Sequence, residues 1–130
     1  MPYGQVRQLT IAIQNRPGAV AEIARTLGDA KVNILALSGT AQGTSGTVQL
    51  VVEDSRRAKK ALDEAKFGYQ ETAAEGYELP NKPGALAQYL EKLATKGVNL
   101  NSIYATATKG GKKAVVVYAA ETEAKTEIAA

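Results

Sequence analysis

The chain has 130 residues, 45% of them hydrophobic and 22% charged, with a net charge of +3. This composition is typical of a globular protein, and the charge is too small to indicate nucleic-acid binding. The absence of cysteine and histidine excludes disulfides, thiolate or imidazole metal ligands and catalysis by either residue. No apolar run reaches the roughly 20 residues of a membrane span. The N-terminus lacks an apolar signal segment, so we expect a cytoplasmic protein without membrane contact.

The first half of the chain predicts six elements. Residues 6–13 alternate loosely between apolar and polar, as in a half-buried strand. A helix follows with Pro17 in its first turn and an apolar stripe at helical spacing, formed by Val20, Ile23, Ala24 and Leu27. Strands at 32–41 and 47–53, a helix capped by Asp54 or Ser55 and a strand at 67–73 complete the set. The order βαββαβ predicts an α+β fold, the ferredoxin-like two-layer sandwich.

The second half repeats the first at an offset of 66 residues. The segment Asn15-Arg16-Pro17-Gly18-Ala19-Val20 recurs as Asn81-Lys82-Pro83-Gly84-Ala85-Leu86, and Val32-Asn33-Ile34 recurs as Val98-Asn99-Leu100. The gapless offset also pairs Val51 with Val117. We therefore predict two tandem copies, at residues 1–73 and 74–130.

Copy two is expected to be shortened at its C-terminus. After its third strand at 114–120 only residues 121–130 remain, which leaves out most of the last helix and the final strand. An incomplete sheet has an uncovered edge, which favours a homodimer or a higher homo-oligomer.

The doubled motif resembles that of the ACT domain, a small-molecule-sensing module of amino-acid metabolism. The resemblance rests on the two Asn-x-Pro-Gly loops and on the Val-Asn pairs that enter the second strand of each copy. Copy one is similar to the regulatory domain of 3-phosphoglycerate dehydrogenase, where both asparagines contact serine across a domain pair. Other ferredoxin-like classes fit less well. RNA-recognition domains need exposed aromatic side chains, which residues 47–53 lack, and metallochaperones need cysteines.

The resemblance implies an amino-acid site at an interface between two such domains, without cofactor or metal. The implied residues are Asn15, Arg16, Pro17, Gly18, Ala19, Val20, Asn33, Ile34, Asn81, Lys82, Pro83, Gly84, Ala85, Leu86, Asn99 and Leu100. Amides near Gly18, at a helix N-terminus, suit a carboxylate, and neutral carboxamides suit both ends of a zwitterion. Val20 or Leu86 would face the ligand's side chain, which favours a small or apolar one. In a simpler interpretation, the asparagines are only turn residues or helix caps.

Three function classes stay open at this point. The first is a non-enzymatic amino-acid-binding regulator or sensor that acts through dimerisation or through a partner enzyme of amino-acid metabolism. The second is a ligand-independent regulatory subunit or interaction protein that controls a separate metabolic enzyme. It is motivated by Ile13 and Leu79, where the dehydrogenase has histidine, and by Lys31, where the family has glycine. The third, a small enzyme, is disfavoured by the missing histidine and cysteine and by the lack of a close carboxylate pair.

Overall fold

The computed structural model describes residues 2–120. Residues 121–130, where the predicted remnant of a second helix in copy two falls, lie outside the described part. The helices and strands in chain order are β1 (Pro2–Gln14), α1 (Ala19–Asp29), β2 (Ile34–Gln42), β3 (Ser45–Val52), α2 (Ser55–Glu64), β4 (Gln70–Pro80), α3 (Ala85–Thr95), β5 (Leu100–Ala107) and β6 (Lys113–Ala120). No helix in residues 2–120 is long and apolar enough to span a membrane.

The chain forms two compact units. Arg7–Thr72 form one, here called the repeat-one unit, and the described residues of Met1–Val6 and Ala73–Ala130 form the other, the repeat-two unit. The strand order of the repeat-one unit is β2-β3-β1-β4, the arrangement of a ferredoxin-like βαββαβ sandwich. The predicted α+β fold is therefore confirmed. The predicted domain boundary between residues 73 and 74 stays a prediction. Along the chain, the repeat-one unit ends at Thr72 and the repeat-two unit continues from Ala73.

The core of the repeat-one unit follows from the alternation of its strands. Leu9 lies opposite Leu50, and Ile11 lies opposite Val48, so these four side chains share one face of the sheet. The helices cover that face with fully buried Ile23, Leu27, Ala58 and Leu62. Val20 and Ala24 belong to the predicted stripe of α1, but the structure leaves both exposed and buries Ala19 instead.

The second helix begins where the sequence predicts. Asp54 is the N-cap of α2, and its carboxylate accepts a hydrogen bond of 3.0 Å from the Arg57 amide. This bond satisfies one of the amides that the first turn of a helix leaves without a partner.

Two cations hold the Glu71 carboxylate on β4 of the repeat-one unit. Lys59 Nζ, from α2, lies 3.1 Å from Oε1, and Arg7 Nε, from β1, lies 3.2 Å from Oε2. The hydrogen bond from Lys59 is the main cause that lowers the pKa of Glu71, and the bond from Arg7 adds to it. The pair of contacts connects the second helix to two strands.

Glu71→Gln is expected to lower the melting temperature near pH 7 and to have little effect in acid. The pKa of Glu71 is lower in the folded state, so the stabilisation is fully present above the unfolded pKa of about 4.3 and is lost as the pH falls below it. Thermal melts from pH 7 to about 3 measure the difference. The matched control is Glu64→Gln, since Glu64 is exposed and has no ion pair within residues 2–120. A difference for Glu71→Gln that stays constant across this range would contradict the assignment.

The repeat-two unit has its own source of a fourth strand. Its order is β1-β4-β6-β5, and the part of β1 that belongs to it is residues 2–6. The sequence predicts an uncovered edge for this unit, whereas the structure places the start of β1 beside β4. The reason is that β1 has 13 residues, so its first part serves the repeat-two unit and its second part the repeat-one unit.

The predicted gapless repeat ends at the hairpin of copy two. Leu9 faces Leu50 and Glu75 faces Tyr118, so the offset is 66 in the first strands but 68 in the third ones. Val51 therefore corresponds to Ala119, and the predicted equivalence with Val117 is wrong. The cause is the length of the hairpin, because four residues separate the paired Ala41 and Gly46, whereas six separate the equivalent pair Ala107 and Ala114.

Tyrosines replace aliphatic core residues in the repeat-two unit. Tyr77, Tyr89 and Tyr118 stand at the positions of Ile11, Ile23 and Leu50. The ring centroids of Tyr77 and Tyr89 are 4.8 Å apart, and those of Tyr89 and Tyr118 are 6.2 Å apart. Burial is the main cause that raises the pKa of Tyr89, and a hydrogen bond to Tyr118 adds to it. Such rings combine apolar contact area with a hydroxyl that needs a partner.

Candidate functional site

The asparagine of each Asn-x-Pro-Gly loop fastens that loop to a hairpin. The Asn15 backbone N–H donates to the Thr44 carbonyl at 2.9 Å, and its Nδ2 donates to the Gly43 carbonyl at 2.8 Å. In the repeat-two unit, Asn81 donates from its backbone to Lys112 at 3.0 Å and from Nδ2 to Gly111 at 2.8 Å. These asparagines are therefore not the helix caps of the simpler interpretation. They connect the β1–α1 and β4–α3 loops to the neighbouring hairpins.

Each of these helices begins later than the sequence predicts. The N-cap residues are Gly18 and Gly84, with φ angles of 87° and 86°, so Pro17 and Pro83 precede the helices. The left-handed conformation explains why glycine stands at both positions. The first helical hydrogen bond joins the Glu22 amide to the Gly18 carbonyl.

Not all backbone amides at the start of α1 are free to donate a hydrogen bond to a ligand. The Ala19 N–H donates to the Arg16 carbonyl at 3.2 Å, so it is used within the loop. The amides of Val20 and Ala21 come before the first helical hydrogen bond and can meet an anion at the positive end of the helix. Of the amides near Gly18 that the sequence predicts for the carboxylate, that of Ala19 is therefore used within the loop, and that of Val20 remains.

A surface pocket of about 200 Å³ lies beside this helix start in the repeat-one unit. It is lined by Ile13, Gln14, Asn15, Arg16, Ala19, Val20, Gly39, Thr40 and Ala41. Four of its lining residues belong to the predicted site, namely Asn15, Arg16, Ala19 and Val20. Strand β2 also contributes Gly39, Thr40 and Ala41, which are absent from the predicted site. The ferredoxin-like topology holds the signal for it, because β1 and β2 both end on the side of the sheet where α1 begins.

The pocket combines apolar and polar groups, and its polar lining side chains are those of Gln14, Asn15, Arg16 and Thr40. Ile13, Ala19 and Ala41 offer hydrocarbon surface. Arg16 extends its guanidinium to the Glu22 carboxylate, and both side chains are about half exposed. Asn15 uses its NH₂ group on the hairpin, which leaves its Oδ1 as an acceptor towards a ligand. This combination fits a small zwitterion with an uncharged side chain.

A larger depression of about 440 Å³ lies elsewhere in the repeat-one unit, lined by Thr10, Ala12, Thr47, Gly68, Tyr69 and Gln70. Thr10 and Ala12 point to the face of the sheet opposite Leu9 and Ile11. This depression has neither a charged side chain nor a helix start, so the smaller pocket is the better amino-acid site. Within residues 2–120, no group of three or more acidic residues could hold a metal ion.

The second predicted asparagine of each copy lies at the other end of its unit. Asn33 and Ile34 stand at the beginning of β2, where the Asn33 carbonyl accepts from the Glu53 amide at 3.0 Å. The Asn15 loop meets the hairpin beyond the other end of β2, nine residues away. At about 3.3 Å per residue this is a separation on the order of 30 Å. Asn99 and Leu100 stand in the same relation to Asn81. One unit alone therefore does not bring the two predicted asparagines together.

An apolar pair beside the pocket recurs in both units. Val20 on α1 and Leu37 on β2 are 37% and 40% exposed, and their counterparts Leu86 and Ile103 are 39% and 40% exposed. Both pairs lie on the first helix of a unit and on its outermost strand, β2 or β5. Leu35 adds another exposed apolar side chain to β2. Five large apolar side chains of this kind are unusual on a free surface and favour an interface.

Comparison with known proteins finds a matching family and several similar structures. The sequence model of a family described as "ACT domain pair" matches residues 4–129. Among solved structures, protein BT0572 from Bacteroides thetaiotaomicron is 30% identical, with 93% of this chain and 83% of that chain covered and a TM-score of 0.83. No curated protein matches the sequence.

Two further structures are similar in fold. The regulatory subunit of aspartate kinase from Thermus thermophilus, in a ligand-free form, is 18% identical over 91% of this chain and 84% of that one, with a TM-score of 0.68. Aspartate kinase from Clostridium acetobutylicum, described as an allosteric enzyme, is 15% identical over 91% of this chain and 30% of that one, with a TM-score of 0.55.

Proposed function

We propose that this chain, which belongs to the ACT domain pair family, is a non-catalytic regulatory protein that binds a small amino acid in the pocket beside Asn15. The observation that carries the proposal is the position of this pocket. It joins four residues of the predicted site to the N-terminus of α1 and to an apolar wall. A regulatory role is supported by the family and by the fold shared with a regulatory subunit of aspartate kinase.

In this proposal, each side of the pocket holds a different part of the ligand. The ligand carboxylate lies at the amide of Val20, where the helix dipole favours negative charge. Asn15 Oδ1 accepts from the ligand ammonium, and a neutral acceptor costs less desolvation here than a buried carboxylate. The ligand side chain rests between Ile13 and the part of β2 formed by Gly39 and Ala41.

The ligand also connects two chains in this proposal. Because Asn33 is on the order of 30 Å from Asn15 in its own unit, it reaches a ligand only from another unit. Two repeat-one units related by a twofold axis, with their outer β2 strands antiparallel, bring Asn33 of the partner subunit to the Asn15 pocket. Such a homodimer also buries Leu35, Leu37 and Val20, which are exposed in one chain. Sedimentation velocity tests it, and a monomer both with and without amino acids would contradict it.

Calorimetry with each of the twenty proteinogenic L-amino acids tests the binding itself. We expect wild-type protein to bind at least one of them with a dissociation constant below about 1 mM, which is about 4 kcal/mol of binding free energy. A folded protein that gives no heat with any of them would contradict the proposal. Such a result, together with stable capture of one enzyme, would favour the ligand-independent regulatory subunit.

Asn15→Ala is expected to weaken this binding about 10- to 100-fold, because a hydrogen bond to a charged ligand group is lost. It also removes the bond to Gly43 and destabilises the fold by about 1 kcal/mol. The matched control is Asn81→Ala, which removes the equivalent bond to Gly111 in the repeat-two unit. If both variants weaken binding equally, the loss comes from general destabilisation and the assignment of Asn15 to the site is wrong.

A further inference from the structure

Positions that line the pocket of the repeat-one unit recur in the repeat-two unit, some of them with larger side chains. Strands β2 and β5 have their bulges at equivalent places, between Ile34 and Ala36 and between Leu100 and Ser102. The offset of 66 therefore holds along both strands, and Ala105 stands where the first pocket has Gly39. On the helices the same offset places Leu86 at the position of Val20. Each of these two differences adds hydrocarbon at the place in the repeat-two unit that corresponds to the pocket.

Gly39 faces the interior of the first pocket. It lies opposite Val48 on β3, and Val48 lies opposite Ile11 on β1, so position 39 points to the side of the sheet that α1 covers. A Cβ atom built at position 39 would meet only Val48 Cγ2, at an ordinary 3.9 Å, and no other atom within 4 Å. The space in front of Gly39 is thus the pocket itself.

The backbone does not require glycine at position 39. Its φ angle is outside the left-handed region that Gly18, Gly43 and Gly84 adopt. Alanine fits the same place in the repeat-two strand, where Ala105 lies opposite Val116. The missing methyl group at position 39 therefore leaves room in the pocket without serving the fold.

We propose that Gly39 decides which of the two units binds the ligand. This inference rests on the proposed function and adds to it the number of sites and a residue that controls them. The repeat-one unit binds one small, uncharged amino acid, whose side chain lies over Gly39 between Ile13 and Val20. Ala105 and Leu86 fill the corresponding space of the repeat-two unit, so each chain binds one ligand. A single methyl group matters at this scale, since one methylene in an apolar pocket changes discrimination about 10- to 200-fold.

Gly39→Ala tests the inference in the full-length protein, with Gly28→Ala as the matched control. Gly28 lies on α1 of the same unit, has no positive φ and does not line the pocket, and its added Cβ would meet nothing within 4 Å. Calorimetry with the twenty proteinogenic L-amino acids is expected to give one ligand per wild-type chain. The affinity should fall about 10- to 200-fold in Gly39→Ala and stay unchanged in Gly28→Ala. Neither variant should melt below the wild type, because alanine restricts the unfolded chain more than glycine does at a compatible backbone position, and this would show that loss of folding is not the cause.

The outcomes separate this inference from the proposed function. Two ligands per wild-type chain, or equal affinity in Gly39→Ala and wild type, would overturn the inference and leave the proposed function standing. No heat with any amino acid would overturn the proposed function and the inference with it. The double variant Ala105→Gly with Leu86→Val is expected to raise the count from one to two. A count that stays at one would show that these two side chains do not close the second pocket.

Discussion

Removal of residues 2–6 is expected to unfold the repeat-two unit and to leave the repeat-one unit folded. In the structure these residues lie beside β4, at the position of the fourth strand of a ferredoxin-like unit. Their removal breaks about four ladder hydrogen bonds at about 1 kcal/mol each, a total of roughly 4 kcal/mol. This is a large part of the stability of a small unit, because domains are stable by only about 5–15 kcal/mol.

Hydrogen exchange of the backbone amides measures this effect within one sample. The amides of β6 should lose protection in the shortened chain, while those of β3 in the repeat-one unit keep it and act as the internal control. The deletion ends at residue 6, so Arg7 remains and its ion pair with Glu71 stays intact. If the amides of β4 and β6 exchange as slowly as in the wild type, residues 2–6 are not the strand that completes this unit.

Ile23→Ala is expected to lower the free energy of unfolding by about 2–5 kcal/mol. Ile23 is fully buried and packs in the cluster formed by Leu9, Ile11 and Leu50. Truncation leaves a cavity that closely packed neighbours cannot fill, so the loss exceeds the transfer free energy of the removed methyl and methylene groups.

The matched control for Ile23→Ala lies one turn earlier on the same helix. Val20 is 37% exposed, so Val20→Ala should cost less than about 1 kcal/mol in a single chain. Urea denaturation followed by circular dichroism measures both variants. Equal destabilisation by the two substitutions would contradict the assignment of buried and exposed faces of α1.

Local spacing was enough to predict most elements of the fold. The apolar positions of α2 identify a helix, and Asp54 marks its start, because both signals depend only on neighbours within a few residues. The repeated Asn-x-Pro-Gly loops likewise locate two helix starts to within about two residues. Family resemblance then adds the pairing of the strands, which spacing alone does not provide.

Long-range arrangement explains the errors. Residues 2–6 read as the start of an ordinary strand, and nothing local shows that they belong to a different unit from Leu9. The change of offset from 66 to 68 arises in a hairpin whose length varies freely on the surface. Sequence identity at Val51 and Val117 therefore suggested an equivalence that the strand register does not have.

In the candidate site, too, local features could be predicted and long-range ones could not. Asn15 and Val20 lie within one loop and helix start, so their proximity could be predicted. Gly39 joins them only through the order of strands in the sheet, and it carries no side chain that suggests a role. Asn33 is close to Asn15 in the motif but lies at the opposite end of β2, which only the direction of that strand reveals.

A crystal structure of the wild-type protein grown with a mixture of the twenty amino acids tests the central claim most directly. We expect density for one amino acid per chain in the pocket of the repeat-one unit, with its carboxylate at the Val20 amide and its side chain over Gly39. The claim would be contradicted by a pocket without ligand density in crystals grown with millimolar amino acids. An amino acid bound only in the depression beside Tyr69 would also contradict it.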